Sequence, residues 1–80
     1  LYPLIDRLYD DFHARLVARF GTLLTDKEQQ LCCLLRADFT TKEISVLTGQ
    51  SVPTIYQRKT TIRKKLGMDE KGDIVSFLAS

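Results

Sequence analysis

The chain has 80 residues, of which 44% are hydrophobic and 28% are charged, and its formal net charge is +2. This length allows one small domain, and the apolar content excludes a disordered tail. The sequence has no apolar run long enough to span a bilayer and no signal peptide. It also lacks a glycine-rich phosphate loop and a nucleophile–base pair, so we do not expect an enzyme. Because the first residue is Leu1 rather than Met, we expect the C-terminal part of a longer protein.

The two cysteines, Cys32 and Cys33, are adjacent in the sequence. On a helix they would point to different sides, which is poor geometry for a disulfide. Two reduced thiols are typical of a cytoplasmic protein, and we expect at least one to pack as a small hydrophobic group. A zinc site would need more ligands, and His13 is the only histidine. We therefore expect no metal and no cofactor.

Residues 1–20 have the spacing of a single amphipathic helix, which Gly21 is expected to end. Charged residues of both signs fill one side of this helix, and apolar residues form a wide stripe on the other. The stripe either covers the helices that follow or pairs with a second copy of itself. We therefore treat residues 1–23 as an N-terminal helix that serves as a linker or dimerisation segment. The stripe consists of Leu4, Ile5, Leu8, Tyr9, Phe12, Leu16, Val17 and Phe20.

Two capping boxes predict the starts of the next two helices. In each pair, Thr25 with Glu28 and Thr40 with Glu43, the hydroxyl can accept from the N3 amide while the glutamate accepts from the cap amide. The second helix is short, covering residues 41–48. The expected buried residues are Leu31, Leu34 and Leu35 on the first helix and Ile44 and Leu47 on the second.

The stretch from Ser51 to Gly67 is the most distinctive part of the chain. Ser51 is a favoured N-cap, Pro53 suits a first helical turn, and Gly67 can end the helix in a left-handed conformation. One face is apolar through Ile55, Ile62 and Leu66. The rest carries five positive side chains, with no acid between Val52 and Met68: Arg58, Lys59, Arg63, Lys64 and Lys65.

A short helix, a turn containing Gly49 and a longer basic helix are the ingredients of a helix-turn-helix. A basic helix with polar residues near its N-terminus is typical of insertion into the DNA major groove. A solvated surface helix in a plain αα-hairpin is the alternative. After Gly67, we expect Asp69 to be the N-cap of a final helix, with its apolar patch partly buried in the core and partly a partner surface. That patch consists of Ile74, Val75, Phe77 and Leu78.

Three motifs in order resemble the LuxR/FixJ-type (GerE-like) DNA-binding domain: L-T-D-K-E-Q-Q-L-C-C-L-L, T-T-K-E-I-S and S-V-P-T-I-Y-Q-R-K-T-T-I-R-K-K-L-G. The resemblance covers about residues 24–80. It implies an all-α fold, a four-helix helix-turn-helix domain preceded by the amphipathic N-terminal helix. Its helices would cover residues 25–36, 41–48, 52–66 and 70–79.

The chain also departs from the family pattern at five positions. The family usually has leucine and an aliphatic residue where this chain has Thr48 and Gln50. We therefore expect Val46 and Leu47 to fill the core under the turn. Arg58 stands where the family often has histidine. Tyr56 and Gln57 stand where many members have lysine or another polar residue, so the operator sequence of a relative does not transfer to this chain.

The resemblance also implies functional residues. Base contacts would come from Val52, Pro53, Tyr56, Gln57 and Thr60. Phosphate contacts would come from Thr41, Lys42, Thr54, Lys59, Arg63, Lys64 and Lys65. The last helix would form a dimer contact through Ile74, Val75, Phe77 and Leu78.

These residues lead us to expect a transcriptional regulator that binds double-stranded DNA as a homodimer, with RNA polymerase as a further partner. Gln57 is suited to adenine, Thr60 to several bases and Tyr56 to a thymine methyl group. Two alternatives stay open. One is a promoter-binding module like region 4 of a sigma factor, and the other is a protein-interaction or dimerisation module that does not bind DNA.

Overall fold

The computed structural model describes residues 1–79, which form six α-helices and no strand. The predicted all-α class is therefore confirmed. In chain order the helices are α1 (Tyr2–Leu8), α2 (Phe12–Phe20), α3 (Asp26–Arg36), α4 (Thr41–Thr48), α5 (Val52–Leu66) and α6 (Ile74–Ala79).

One hydrophobic core draws on each of these helices. The N-terminal segment supplies Ile5, Phe12 and Leu16, so the expected boundary at residue 23 does not divide the core. Helix α2 packs against α3, and α3 packs against α6. The buried apolar residues are Ile5, Phe12, Leu16, Leu24, Leu31, Cys32, Cys33, Leu34, Ile44, Ile55, Ile62, Leu66, Ile74 and Leu78.

The prediction of a single helix over residues 1–20 is wrong. Asp10 and Asp11 have left-handed backbone conformations, with φ of 54° and 57°, which interrupt the helical hydrogen bonds and separate α1 from α2. The two short helices pack against each other. The expected stripe is therefore split, and part of it, including Leu4, Leu8 and Val17, remains exposed.

Both predicted capping boxes are present. Glu28 N donates to Thr25 Oγ1 at 3.2 Å, and Thr25 N donates to Glu28 Oε1 at 2.8 Å. The corresponding distances for Thr40 and Glu43 are 3.1 and 2.8 Å. These reciprocal bonds satisfy amides that would otherwise lack partners, so α3 and α4 begin where the sequence predicted.

The expected packing under the turn after α4 is wrong. Val46 is 78% exposed and Leu47 is 59% exposed, and only Ile44 on this helix is buried. Side-chain hydrogen bonds hold the turn instead, because Ser45 Oγ donates to the Gln50 carbonyl and Gln50 N donates to the Thr48 hydroxyl. Polar contacts therefore replace the aliphatic packing that was expected there.

The last helix begins later than predicted, at Ile74 rather than near residue 70. Asp69 does not cap it, because the Asp69 carboxylate accepts from Lys71 N within a turn, at 2.8 Å. Asp73 caps it instead, accepting from Ser76 N at 3.3 Å and from the Ser76 hydroxyl at 2.6 Å. The loop before α6 is correspondingly longer than the sequence suggested.

Candidate nucleic-acid interface

Helix α5 has the ends that its sequence predicted. The Ser51 hydroxyl accepts from Thr54 N at 3.3 Å, and Pro53 lies in the first turn, which contains no acidic residue. Gly67 ends the helix with a φ of 68°, and its N–H donates to the Arg63 and Lys64 carbonyls. Glycine adopts this left-handed conformation without steric cost. The positive end of the helix dipole is therefore not offset by an acid in the first turn.

The two faces of α5 differ sharply in exposure. Ile55 and Ile62 are fully buried and Leu66 is 8% exposed, so this face attaches the helix to the core. The opposite face is open to solvent. Of the predicted base-reading residues, Val52 is half-buried and four are exposed: Pro53, Tyr56, Gln57 and Thr60.

Several groups on the open face have defined local contacts. The Thr60 hydroxyl donates to the Tyr56 carbonyl at 3.1 Å, which leaves its oxygen free to accept from a ligand. Lys59 Nζ lies 5.7 Å from the centroid of the Tyr56 ring, within cation–π range. The exposed side chains Tyr56, Gln57 and Thr60 form a ridge, which we call the α5 ridge.

The predicted phosphate contacts do not have equal access to solvent. Lys42 and Lys64 are exposed, whereas Thr41, Thr54 and Lys59 are half-buried. The hydroxyls of Thr54 and Ser51 lie 2.8 Å apart and share a hydrogen bond. The exposed lysines are therefore the most accessible cations of this set.

Two predicted phosphate contacts are held by the chain itself. Arg63 Nε donates to the Gly72 carbonyl at 2.8 Å, which ties α5 to the loop before α6. Lys65 Nζ lies 2.7 Å from Glu28 Oε1, and their side chains are 31% and 6% exposed. The structure does not bring Lys65 to the α5 ridge.

The turn between α4 and α5 contains a polar pair that the sequence did not predict. With its amide oxygen turned toward Arg58, Gln50 accepts from Arg58 Nε at 3.1 Å and from Nη2 at 3.2 Å. Both residues depart from the family pattern, and Arg58 is also one of the five cations of α5. Because Gln50 and Arg58 are eight residues apart across a turn, helical periodicity does not predict their contact. The only sequence signal was that both residues depart from the family pattern.

The predicted dimer contact on α6 is largely buried. Ile74 is 1% and Leu78 is 5% exposed, and Val75 and Phe77 are half-buried. Phe77 packs against Phe20, with ring centroids 6.5 Å apart. In this conformation Ile74 and Leu78 are not available to a second copy of the chain.

The remaining reactive side chains are buried or lack a suitable arrangement. Burial raises the pKa of the Cys32 and Cys33 thiols to about 12. His13 is half-buried and stacks on Tyr2, with the two ring centroids 3.7 Å apart. Its Nε2 has no hydrogen-bond partner. Within residues 1–79, no three His, Cys, Asp or Glu side chains are grouped to hold a metal ion. Over the same residues, no helix has the length and apolar character needed to cross a membrane.

No protein-family model, curated protein or solved structure gives a significant match to this chain. The candidate site is therefore defined by its own geometry and sequence motifs.

Proposed function

We propose that this chain is the DNA-binding domain of a transcriptional regulator similar to the LuxR/FixJ type. In this proposal α4 and α5 form a helix-turn-helix, and α5 enters the major groove of double-stranded DNA. The observation that carries the proposal is the α5 ridge, whose polar side chains are exposed on a helix fixed from beneath by Ile55 and Ile62. A helix presented in this way can reach base edges without rearranging the core.

The charge on α5 also supports this proposal. The helix has no acidic residue, and Lys64 is exposed one turn beyond Thr60. On α4, Lys42 adds a second exposed cation near the start of the shorter helix. Cations beside a polar ridge can neutralise phosphates and thereby set the position of the helix on the duplex.

The regulator would bind as a dimer, with two copies reading half-sites about one helical turn apart. Because Ile74 and Leu78 are buried, a dimer through α6 would use the outer edges of Val75 and Phe77. Analytical ultracentrifugation with and without an operator duplex tests whether two copies bind together. A single copy bound to every operator at saturation would contradict the dimer.

One observation favours a second candidate, a protein-interaction module. An apolar surface, formed by Phe39 before α4 and by Val46 and Leu47 on α4, is exposed beside Lys42 and Glu43. Surfaces of this kind often bind other proteins. Fluorescence anisotropy with random duplex DNA at low and high salt separates the two candidates, because the module would show no salt-dependent DNA binding.

The main test is the substitution Gln57→Ala, with an operator selected from a random duplex pool. A glutamine that reads adenine contributes about 1–3 kcal/mol of discrimination, so we expect a loss of roughly 5- to 150-fold in preference for the operator over random duplex. Binding constants measured for both duplexes give this ratio. The control is Lys42→Ala, which should weaken binding to both duplexes by the same factor. An unchanged preference in Gln57→Ala would show that Gln57 does not read a base.

A further inference from the structure

One buried carboxylate joins the start of α3 to the end of α5. Glu28 Oε1 accepts from Thr25 N at 2.8 Å and from Lys65 Nζ at 2.7 Å. The Glu28 side chain is only 6% exposed, so water reaches little of it. A carboxylate in such a position depends on its bound partners to remain charged.

The pKa of Glu28 agrees with a charged carboxylate. Burial alone would raise this pKa, but the hydrogen bonds from Lys65 and Thr25 and the charge of Lys65 outweigh it and lower the pKa below its ordinary value. Glu28 is therefore ionised at neutral pH and holds the Lys65 ammonium group.

The direction of Lys65 on the helix separates it from most of the α5 ridge. Lys65 follows Tyr56 by nine residues, or about two and a half helical turns, so these two side chains leave opposite sides of α5, and Lys65 points roughly 140° from Thr60 and about 80° from Gln57. Lys64 follows Thr60 by four residues and lies on the same side as the α5 ridge. The two neighbouring lysines are chemically identical and differ only in where they point and what they contact.

We propose that Lys65 is a positioning residue that fixes the C-terminal end of α5 to α3 through Glu28, and that Lys64, not Lys65, contacts phosphate. This inference rests on the DNA binding proposed above and corrects the phosphate role predicted for Lys65. Turning the Lys65 ammonium group away from Glu28 and toward DNA would leave the Glu28 carboxylate buried without a countercharge.

The experiment compares Lys64→Met with Lys65→Met in the 80-residue chain. For each we would measure the urea midpoint of unfolding and the slope of log binding constant against log salt for random duplex DNA. Lys64→Met should reduce the slope by about 0.9, the value for one lost phosphate contact, and leave the midpoint unchanged. Lys65→Met should lower the midpoint and keep the wild-type slope, with affinity reduced by one factor at all salt concentrations.

Two further variants keep the test decisive if Lys65→Met folds poorly. Lys65→Arg retains the charge and should restore the midpoint. Glu28→Gln with Lys65→Met removes both charges, so it should be more stable than Lys65→Met alone and should keep the wild-type slope. A slope reduced by about 0.9 in Lys65→Met or in the double variant would overturn the proposal, as would an unchanged midpoint in Lys65→Met.

Failure of the proposed function would look different. If the wild-type chain showed no salt-dependent binding to DNA, the DNA-binding proposal would be wrong. Lys65 would then not position α5 for DNA binding. The double-mutant cycle between Glu28 and Lys65 in urea would still show whether the two residues stabilise each other.

Discussion

Cys32 and Cys33 are both fully buried, although neighbouring side chains on a helix point about 100° apart. Both can be buried because α3 packs against α2 and also against α6. For Cys32, burial raises the pKa most, followed by the nearby Cys33 and Glu28. For Cys33, burial is again the main cause, followed by the charge of Asp6. Both thiols are therefore protonated at neutral pH.

We expect both thiols to resist alkylation in the native protein. A pKa of about 12 instead of 9.0 lowers the thiolate fraction at pH 8 by roughly a thousandfold, and burial also blocks the reagent. Iodoacetamide labelling followed by mass spectrometry measures the rates of Cys32 and Cys33 in buffer and in urea. Rapid labelling of either cysteine under native conditions would contradict this expectation.

Because of the same two thiols, we expect the stability of the fold to vary with pH in the alkaline range. Between pH 9 and 12 the unfolded chain releases the thiol protons while the folded chain keeps them. The free energy of unfolding should therefore fall as the pH rises above about 9. Urea titrations at pH 8, 9 and 10 check the sign of this change, and a rising midpoint would contradict it.

Helix ends show which features a short sequence window can predict. The starts of α3, α4 and α5 follow from caps such as Thr25, Thr40 and Ser51, whose partners lie within three residues. The start of α6 did not follow, because Asp69 and Asp73 are both reasonable caps and the choice depends on how Ile74 fits the core. Local hydrogen bonds are visible in sequence, whereas choices made by tertiary packing are not.

The same distinction applies to the candidate site. Helical spacing correctly separated the buried Ile55, Ile62 and Leu66 from the exposed ridge on α5. Spacing also gives Lys64 and Lys65 different directions on α5, but it could not show what holds Lys65, because the partner of Lys65 lies 37 residues away in the sequence. Charge type can be read from the sequence, but the partner of a charge depends on the fold.

The N-terminus of α2 is capped by a side chain on α1. Asp11 makes no side-chain cap bond, and Asp6 on α1 instead accepts from Ala14 N at 3.0 Å. We expect Asp6→Ala to lower the free energy of unfolding by about 1 kcal/mol, the usual value of an N-cap. Asp6→Asn keeps an acceptor and should lose less. Urea unfolding measures both, and equal stability of Asp6→Ala and wild type would show that this bond contributes nothing.

At the scale of the whole molecule, the N-terminal helices are part of the core and are not an appendage. Phe12 and Leu16 are each 3% exposed and share one buried cluster with Leu31 and Leu78. Small domains bury a limited fraction of their surface, so each of these side chains is a large part of the total. We therefore expect residues 1–79 to unfold in a single transition.

The substitution Phe12→Ala tests whether the N-terminal helices share one core with the rest of the chain. Removing a buried phenylalanine side chain costs about 3–5 kcal/mol, so we expect a loss of this size in the free energy of unfolding. The matched control on the same helix is Val17→Ala, because Val17 is 42% exposed and should lose less than about 1 kcal/mol. Similar losses in the two variants, or a separate early transition for the N-terminal segment, would contradict a shared core.

The hydrogen bonds at the turn between α4 and α5 affect the entropy of association. Ser45 and Thr48 hold Gln50 from α4, and Arg58 holds the same residue from α5. The angle between the two helices is thus set during folding. This surface would therefore be preorganised for a DNA duplex. Most of the conformational entropy lost on binding would be that of exposed side chains such as Tyr56.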